Sequence, residues 1–258
     1  MAETLHFKEM GEGKPLVIFH GLFGSSDNWV TVGRELAKTF QVYLVDMRNH
    51  GDSPHQDVHT YESMAEDILQ FLDDQKLERP FIIGHSMGGK AAMNFAVRHP
   101  DRFEKLIIVD IAPKAYPVHH RTILDGLMGI DVANLESRQE ADKQLAKSIP
   151  EKPVRQFLLK NLDRDKEGEY SWKLNLAALD ANLETIGAGM EEHYTTDKPV
   201  LFIRGEKSNY IQDQDSIAIV ALFPNSSIET IKGAGHWVHA EKPQEFVELV
   251  TGFIQSPS

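Results

Sequence analysis

The chain has 258 residues, about the length of one large domain, and its 41% hydrophobic and 26% charged residues make an ordinary globular composition. That excludes a disordered tail, a collagen-like fibre and a coiled coil, and the absence of cysteine excludes a disulfide framework and thiolate metal sites. A formal charge of −12 leaves no excess of Lys and Arg to neutralise phosphate, so nucleic acid and anionic membranes are not expected partners.

The first residues show neither the basic region nor the apolar stretch of a secretory signal. The longest apolar runs are too short to cross a bilayer, so a cytoplasmic chain is expected. Residues 4–9 predict an antiparallel edge strand, and 16–19 (LVIF), between Pro15 and Gly21, predict a buried one. A helical pattern follows over 27–38, a strand over 42–45, and a helix over Tyr61–Asp74. Next come a strand over 81–83, a helix over Met87–Arg98 and a strand over Leu106–Val109. Strands at 200–203 and 228–231 and helices at 213–222 and 243–254 complete the chain. Strand–helix–strand alternation calls for right-handed crossovers and a mostly parallel sheet with helices on both faces.

Residues 113–199 break the alternation. They contain no convincing strand, and apolar positions such as Ile123, Leu124, Leu127 and Met128, or Phe157, Leu158 and Leu162, recur at helical spacing. A helical cap inserted between two sheet strands is expected, with residues 1–112 and 200–258 forming the core. The insertion is less acidic than the rest of the chain, and Ile123, Leu127, Phe157 and Leu162 are candidates to face a site.

The sharpest chemical motif is Gly84-His85-Ser86-Met87-Gly88, a G-x-S-x-G pattern between a predicted strand and a predicted helix. A nucleophilic serine needs such a tight strand-to-helix turn, where flanking glycines let backbones pass closely. A Gly-rich turn with an idle serine would leave the same pentapeptide. So would a phosphate-binding loop, since Gly84 to Lys90 fits G-x-x-x-x-G-K, but the magnesium-binding hydroxyl that should follow is replaced by Ala91.

Acyl transfer builds negative charge on a carbonyl oxygen, which two fixed backbone N–H groups can stabilise. One is expected from Met87, directly after the serine. The other is expected from the loop His20-Gly21-Leu22-Phe23-Gly24, at Leu22 with Phe23 next to it. Gly233-Ala234-Gly235-His236-Trp237, after the last predicted strand, offers His236 as the group that takes and returns a proton near neutral pH. His239 three residues later could pair with it on a metal, but no carboxylate cluster accompanies them, and no metal is expected.

The acid should fall between Ser86 and His236 in chain order. The loop after residues 200–203 has Ser208 where a carboxylate would sit, and Asp213 and Asp215 follow in a predicted helix. The other candidate, Asp110, ends an apolar strand, where a buried carboxylate is costly without a partner. An imidazole would supply that partner; capping of the insertion's first turn is the structural alternative. Asp46 and its neighbours through Ser53 read as a hydrogen-bonded loop shaping the sheet edge, and Trp172 and Trp237 as packing residues.

The strings HGLFGS, DMRNHGDSP, GHSMGGK, VDIAP and GAGHWVHAEKP, spread over residues 19–243, together resemble the α/β-hydrolase superfamily and, within it, the small bacterial esterases. The resemblance implies an α/β-hydrolase fold and hydrolysis of carboxylic esters and acyl thioesters, acyl-CoA included, without a cofactor. It also implies the acid at Asp110 and a hydrogen-bonding role for Ser208 near His236. A C–C bond hydrolase or a lactonase on the same scaffold, and a catalytically silent binding protein, stay open.

Overall fold

The computed structural model describes residues 4–117, 120–190 and 195–257. Seven strands form one sheet: β1 (Phe7–Met10), β2 (Lys14–Phe19), β3 (Phe40–Val45), β4 (Phe81–His85), β5 (Leu106–Val109), β8 (Val200–Gly205) and β9 (Ser226–Ile231). Their order is β1-β3-β2-β4-β5-β8-β9, with β1 antiparallel to β3 and every other pairing parallel. The apolar runs form strands because the sheet is buried on both faces, and the period of two sorts their side chains. Val17, Phe19, Ile82, Leu106 and Ile108 enter one core. Leu16, Ile18, Ile83, Ile107 and Val109 enter the other.

The first core packs under α2 (Tyr61–Asp74) and α3 (Met87–Arg98), the second under α1 (Val30–Leu36) and α11 (Pro243–Gln255). Thr60 starts α2 sharply, its hydroxyl accepting from the Ser63 N–H. The helix expected over 27–38 is in two pieces: a 3-10 turn at Ser26–Trp29 precedes α1. The Ser25 N–H donates to Asn28 Oδ1, which tightens the entry, and Trp29 is buried. Lys105, 2% exposed, caps the end of α11, its Nζ donating to the carbonyls of Phe253, Ile254 and Ser256 and to Ser256 Oγ. A cation there meets the negative end of the helix dipole.

Between β5 and β8 the chain forms α4 (Arg121–Met128), α5 (Arg138–Leu145), α6 (Lys152–Leu159), α7 (Leu176–Ala181) and α8 (Leu183–Gly187). The expectation of no strand here is corrected: β6 (Leu162–Arg164) and β7 (Tyr170–Trp172) pair antiparallel as a separate hairpin. Its strands are three residues long, and Asp163 and Arg164 are exposed, so neither length nor alternation could announce it. Two short helices close the set, α9 (Ser216–Leu222) and α10 (Val238–Glu241), and no helix among the described residues is long and apolar enough to cross a membrane.

Because β2, β4, β5, β8 and β9 run parallel, the segments leaving them emerge at one edge of the sheet, where open α/β sheets place their ligands. Phe19 is in register with Gly84, His85 with Val109, and Val109 with Ile203. The loop after Phe19, Ser86 and Asp110 therefore leave the sheet side by side.

Candidate active site

Ser86 follows β4 directly and starts α3 at φ 51°, ψ −118°, a left-handed conformation unusual for a residue with a Cβ. Its N–H donates to Val109 O, and its carbonyl accepts from Lys90 N, so both neighbouring elements fix the turn. Glycine is obligatory around it. A Cβ on Gly88 would lie 2.4 Å from His20 O, and one on Gly84 would lie 2.5 Å from Gly88 O.

His236, on the loop after β9, places Nε2 3.1 Å from Ser86 Oγ and Nδ1 2.7 Å from Asp110 Oδ2. Its ring stacks on Tyr210 at 4.0 Å between centroids. Tyr116 holds that tyrosine in turn, its hydroxyl donating to Tyr210 O at 2.5 Å while accepting from Ala112 N at 2.8 Å. Asp110 is fully buried, and it accepts from the Gly205 N–H at 3.1 Å and from the Ser208 hydroxyl as well as from His236. Three donors thus meet the cost of burying the carboxylate. Asp213 and Asp215 lie elsewhere: Asp213 pairs with Arg204 and is exposed, and Asp215 pairs with Lys114 at 2.6 Å.

The loop after β2 is held from several sides. Gly24 N donates to Gly21 O, and Asn161 Nδ2 donates to Phe23 O at 2.7 Å. Phe23, at φ 60°, donates its N–H to His50 Nε2 at 3.1 Å. This bond makes His50 Nε2 an acceptor and leaves Nδ1–H to donate to Arg48 O. Phe23 N–H is therefore taken, whereas Leu22, Met87 and Ser86 together line a small cavity. Asp46 anchors the neighbouring loop by accepting from Ser26 N and Asp52 N, and His6 Nδ1 lies 2.8 Å from its carboxylate. Burial alone would raise the Asp46 carboxyl, but the proximity of His20 and these bonds bring it below the ordinary range.

A larger cavity of about 190 Å³ shares Leu22, Ser86 and Tyr210 with the small one and is lined further by Phe23, His236 and Trp237 from the sheet edge and by Ile123, Val154 and Phe157 from the segment between β5 and β8. Ile123 and Phe157 thus face the site as the helical spacing suggested. Leu127 and Leu162 do not; both are buried in the core. Trp237 lines the cavity against Phe157, at 5.2 Å between rings.

A family model described as the alpha/beta hydrolase fold matches residues 14–243. The chain belongs to this family. It is 39% identical to the esterase YbfF of Escherichia coli over 93% of its own length and 92% of the relative's. It is 37% identical to the sn-1-specific diacylglycerol lipase ABHD11 of Danio rerio over 96% of its own length and 81% of the relative's. A solved marine microorganism esterase superposes with a TM-score of 0.95 at 44% identity, covering 98% of this chain and all of that one.

Apart from His239, the sequence singled out none of the other histidines of this α/β-hydrolase. His20, His50, His59, His85 and His239 are all buried around the sheet edge. Burial pushes His59 and His239 down to about 3 and lowers His20, His50 and His85, with neighbouring imidazoles adding to the effect on the last two. The folded values lie below the unfolded value of about 6.5, so between the two the unfolded chain binds more protons. Stability is then fullest above about pH 6.5 and falls as the pH drops towards 3, with each histidine adding up to about 1.4 kcal/mol per pH unit. The urea midpoint should be clearly lower at pH 5 than at pH 7.5; an equal or higher midpoint at pH 5 would contradict the neutral cluster.

Proposed function

We propose that this chain is a serine hydrolase that cleaves carboxylic esters through an acyl-enzyme on Ser86. The observation that carries the reading is the unbroken hydrogen-bond chain from Ser86 Oγ through His236 to the buried Asp110. In the first step His236 Nε2 takes the serine proton as Oγ bonds to the acyl carbon, and it returns that proton to the departing alcohol. Water then attacks the acyl-enzyme with the same imidazole as base. Asp110 orients the ring through Nδ1 and stabilises its charged form; Ser208 adds a hydrogen bond to the same carboxylate. The Leu22 and Met87 N–H groups stabilise the oxyanion, with His50 fixing the Leu22–Phe23 peptide as a positioning residue.

The substrate is a small-molecule acyl ester. Acyl thioesters, acyl-CoA among them, are included, because the attacked carbon is the same and the less acidic segment 113–199 tolerates an anionic leaving group at the rim. That segment acts as a cap that selects substrates through Ile123 and Phe157. The relatives named as an esterase and as a diacylglycerol lipase support ester chemistry. The steps use no metal and no cofactor, and a cytoplasmic location accords with the sequence.

A fluorophosphonate should label the protein at one site, Ser86, with full stoichiometry in EDTA, and should abolish hydrolysis of short p-nitrophenyl esters in parallel. Label on another residue, or activity that EDTA removes and zinc restores, would overturn the proposal.

A further inference from the structure

The segment between β5 and β8 sends one buried amide into the loop that carries the proposed oxyanion donor. Asn161, between α6 and β6, is 3% exposed. Its Nδ2 donates to Phe23 O at 2.7 Å and to Leu158 O at 3.1 Å. Both neighbours are carbonyls, which only accept, so the amide nitrogen must be the atom that faces them. The residue itself is fixed at the base of the hairpin: its N–H donates to Leu158 O, and its carbonyl accepts from Lys173 N at 2.9 Å.

What lies beyond Phe23 gives this bond a use. Phe23 O belongs to the peptide that carries Gly24 N–H, and Gly24 N–H donates to Gly21 O at 2.9 Å. Gly21 O in turn belongs to the peptide that carries Leu22 N–H, the group the mechanism assigns to the oxyanion. A hydrogen-bonded chain thus runs from Asn161 through two peptide planes towards the reacting carbonyl oxygen. Each carbonyl that accepts a hydrogen bond makes the N–H of its own peptide a stronger donor. His20 braces the second plane from the core: its Nε2 accepts from Met47 N at 2.9 Å, so Nδ1–H donates to Gly21 O at 2.8 Å. Phe23 sits at φ 60°, a conformation that persists only where its surroundings hold it. Its N–H is held by His50 and its carbonyl by Asn161.

We infer that Asn161 is a positioning residue for the oxyanion hole, through which the substrate-selecting segment aligns and polarises the Leu22 N–H. The inference rests on the hydrolase reading above. Asn161 lines neither cavity at Ser86, so it acts through Leu22 and not on the substrate. Its contribution grows as negative charge develops on the carbonyl oxygen, which places it in the transition state and not in substrate binding.

The test uses p-nitrophenyl butanoate and its thiono analogue, in which sulfur, a poor hydrogen-bond acceptor, replaces the carbonyl oxygen. The wild-type protein should favour the oxygen ester by at least about a hundredfold in kcat/KM, the scale of one oxyanion donor. Asn161→Ala should lower kcat for the oxygen ester by at least about tenfold, change KM by less than about threefold, and shrink the oxygen-over-sulfur preference by the same factor as kcat. Asn161→Leu fills the space without a donor and should match it; it carries the test if the alanine variant does not fold. Asn182→Ala is the control. It removes another hydrogen bond from the same segment to the core, Nδ2 to Asp57 O at 2.9 Å, which ends away from the loop after β2, and it should leave the preference unchanged. An unchanged preference in the Asn161 variants, or an equal shrinkage in Asn182→Ala, would overturn the inference and leave Asn161 as a tie between the segment and the core. Absence of both hydrolysis and phosphonate labelling in the wild-type protein would instead overturn the hydrolase reading.

Discussion

Ser86→Ala should reduce ester hydrolysis by on the order of 10⁶ in kcat, the scale seen when a serine nucleophile is removed, while leaving the unfolding midpoint nearly unchanged. The methyl group keeps the Cβ at the same left-handed backbone position. The side chain is half-buried at the cavity edge, so little packing is lost. What goes is the hydroxyl oxygen that lies beside His236 Nε2. A residual rate above a few per cent of wild type in a clean preparation would show that another group attacks the ester.

Asp110→Asn should cost at least a hundredfold in kcat, approaching the order of 10⁴ that the same change costs a serine protease. The amide keeps the shape of the carboxylate but not its charge, and its NH₂ group faces either the Gly205 N–H or both the Ser208 hydroxyl and His236 Nδ1. Ser208→Ala should cost far less, since it removes one neutral hydrogen bond of roughly 1 kcal/mol from a carboxylate that keeps the Gly205 N–H. The double variant Asp110→Asn with Ser208→Asp moves the carboxylate onto the loop after β8 and should recover part of the rate. A fully active Asp110→Asn protein beside an inactive Asp213 or Asp215 variant would defeat the assignment. The pairing of those two residues with Arg204 and Lys114 argues against that outcome.

What the sequence disclosed and what it withheld follow a physical division. Buried parallel strands need unbroken apolar runs, so five of the seven sheet strands stood out, and parallel alignment then forced the segments after them to one edge. Ser86 was legible because a turn that tight needs glycine on both sides. Asp110 was legible because a carboxylate after LIIV must have a partner. The hairpin at β6 and β7 was not, since three-residue strands with exposed charges have no period to detect. Nor was the division between Ile123 and Phe157, which face the cavity, and Leu127 and Leu162, which do not: helical spacing gives the apolar stripe without saying which of its members meets the core. Lys90 was noticed only as a failed phosphate-loop lysine. Its partners, the Ala188 carbonyl and the rings of Tyr61 and Tyr116, are far from it in sequence.

Ser86 and Asp110 share one more property: both are held at φ near +50°, a backbone state that costs a residue with a side chain on the order of 1–3 kcal/mol. Glycine at either position would relieve that cost. At Asp110 the hydrogen bonds lost with the carboxylate would outweigh that gain, but at Ser86 a laboratory selection that scored only heat resistance or expression would favour replacing the proposed nucleophile, and the winners would be robust and inert. Directed evolution of this scaffold has to read out turnover in every round, because at Ser86 durability and chemistry pull the same codon in opposite directions.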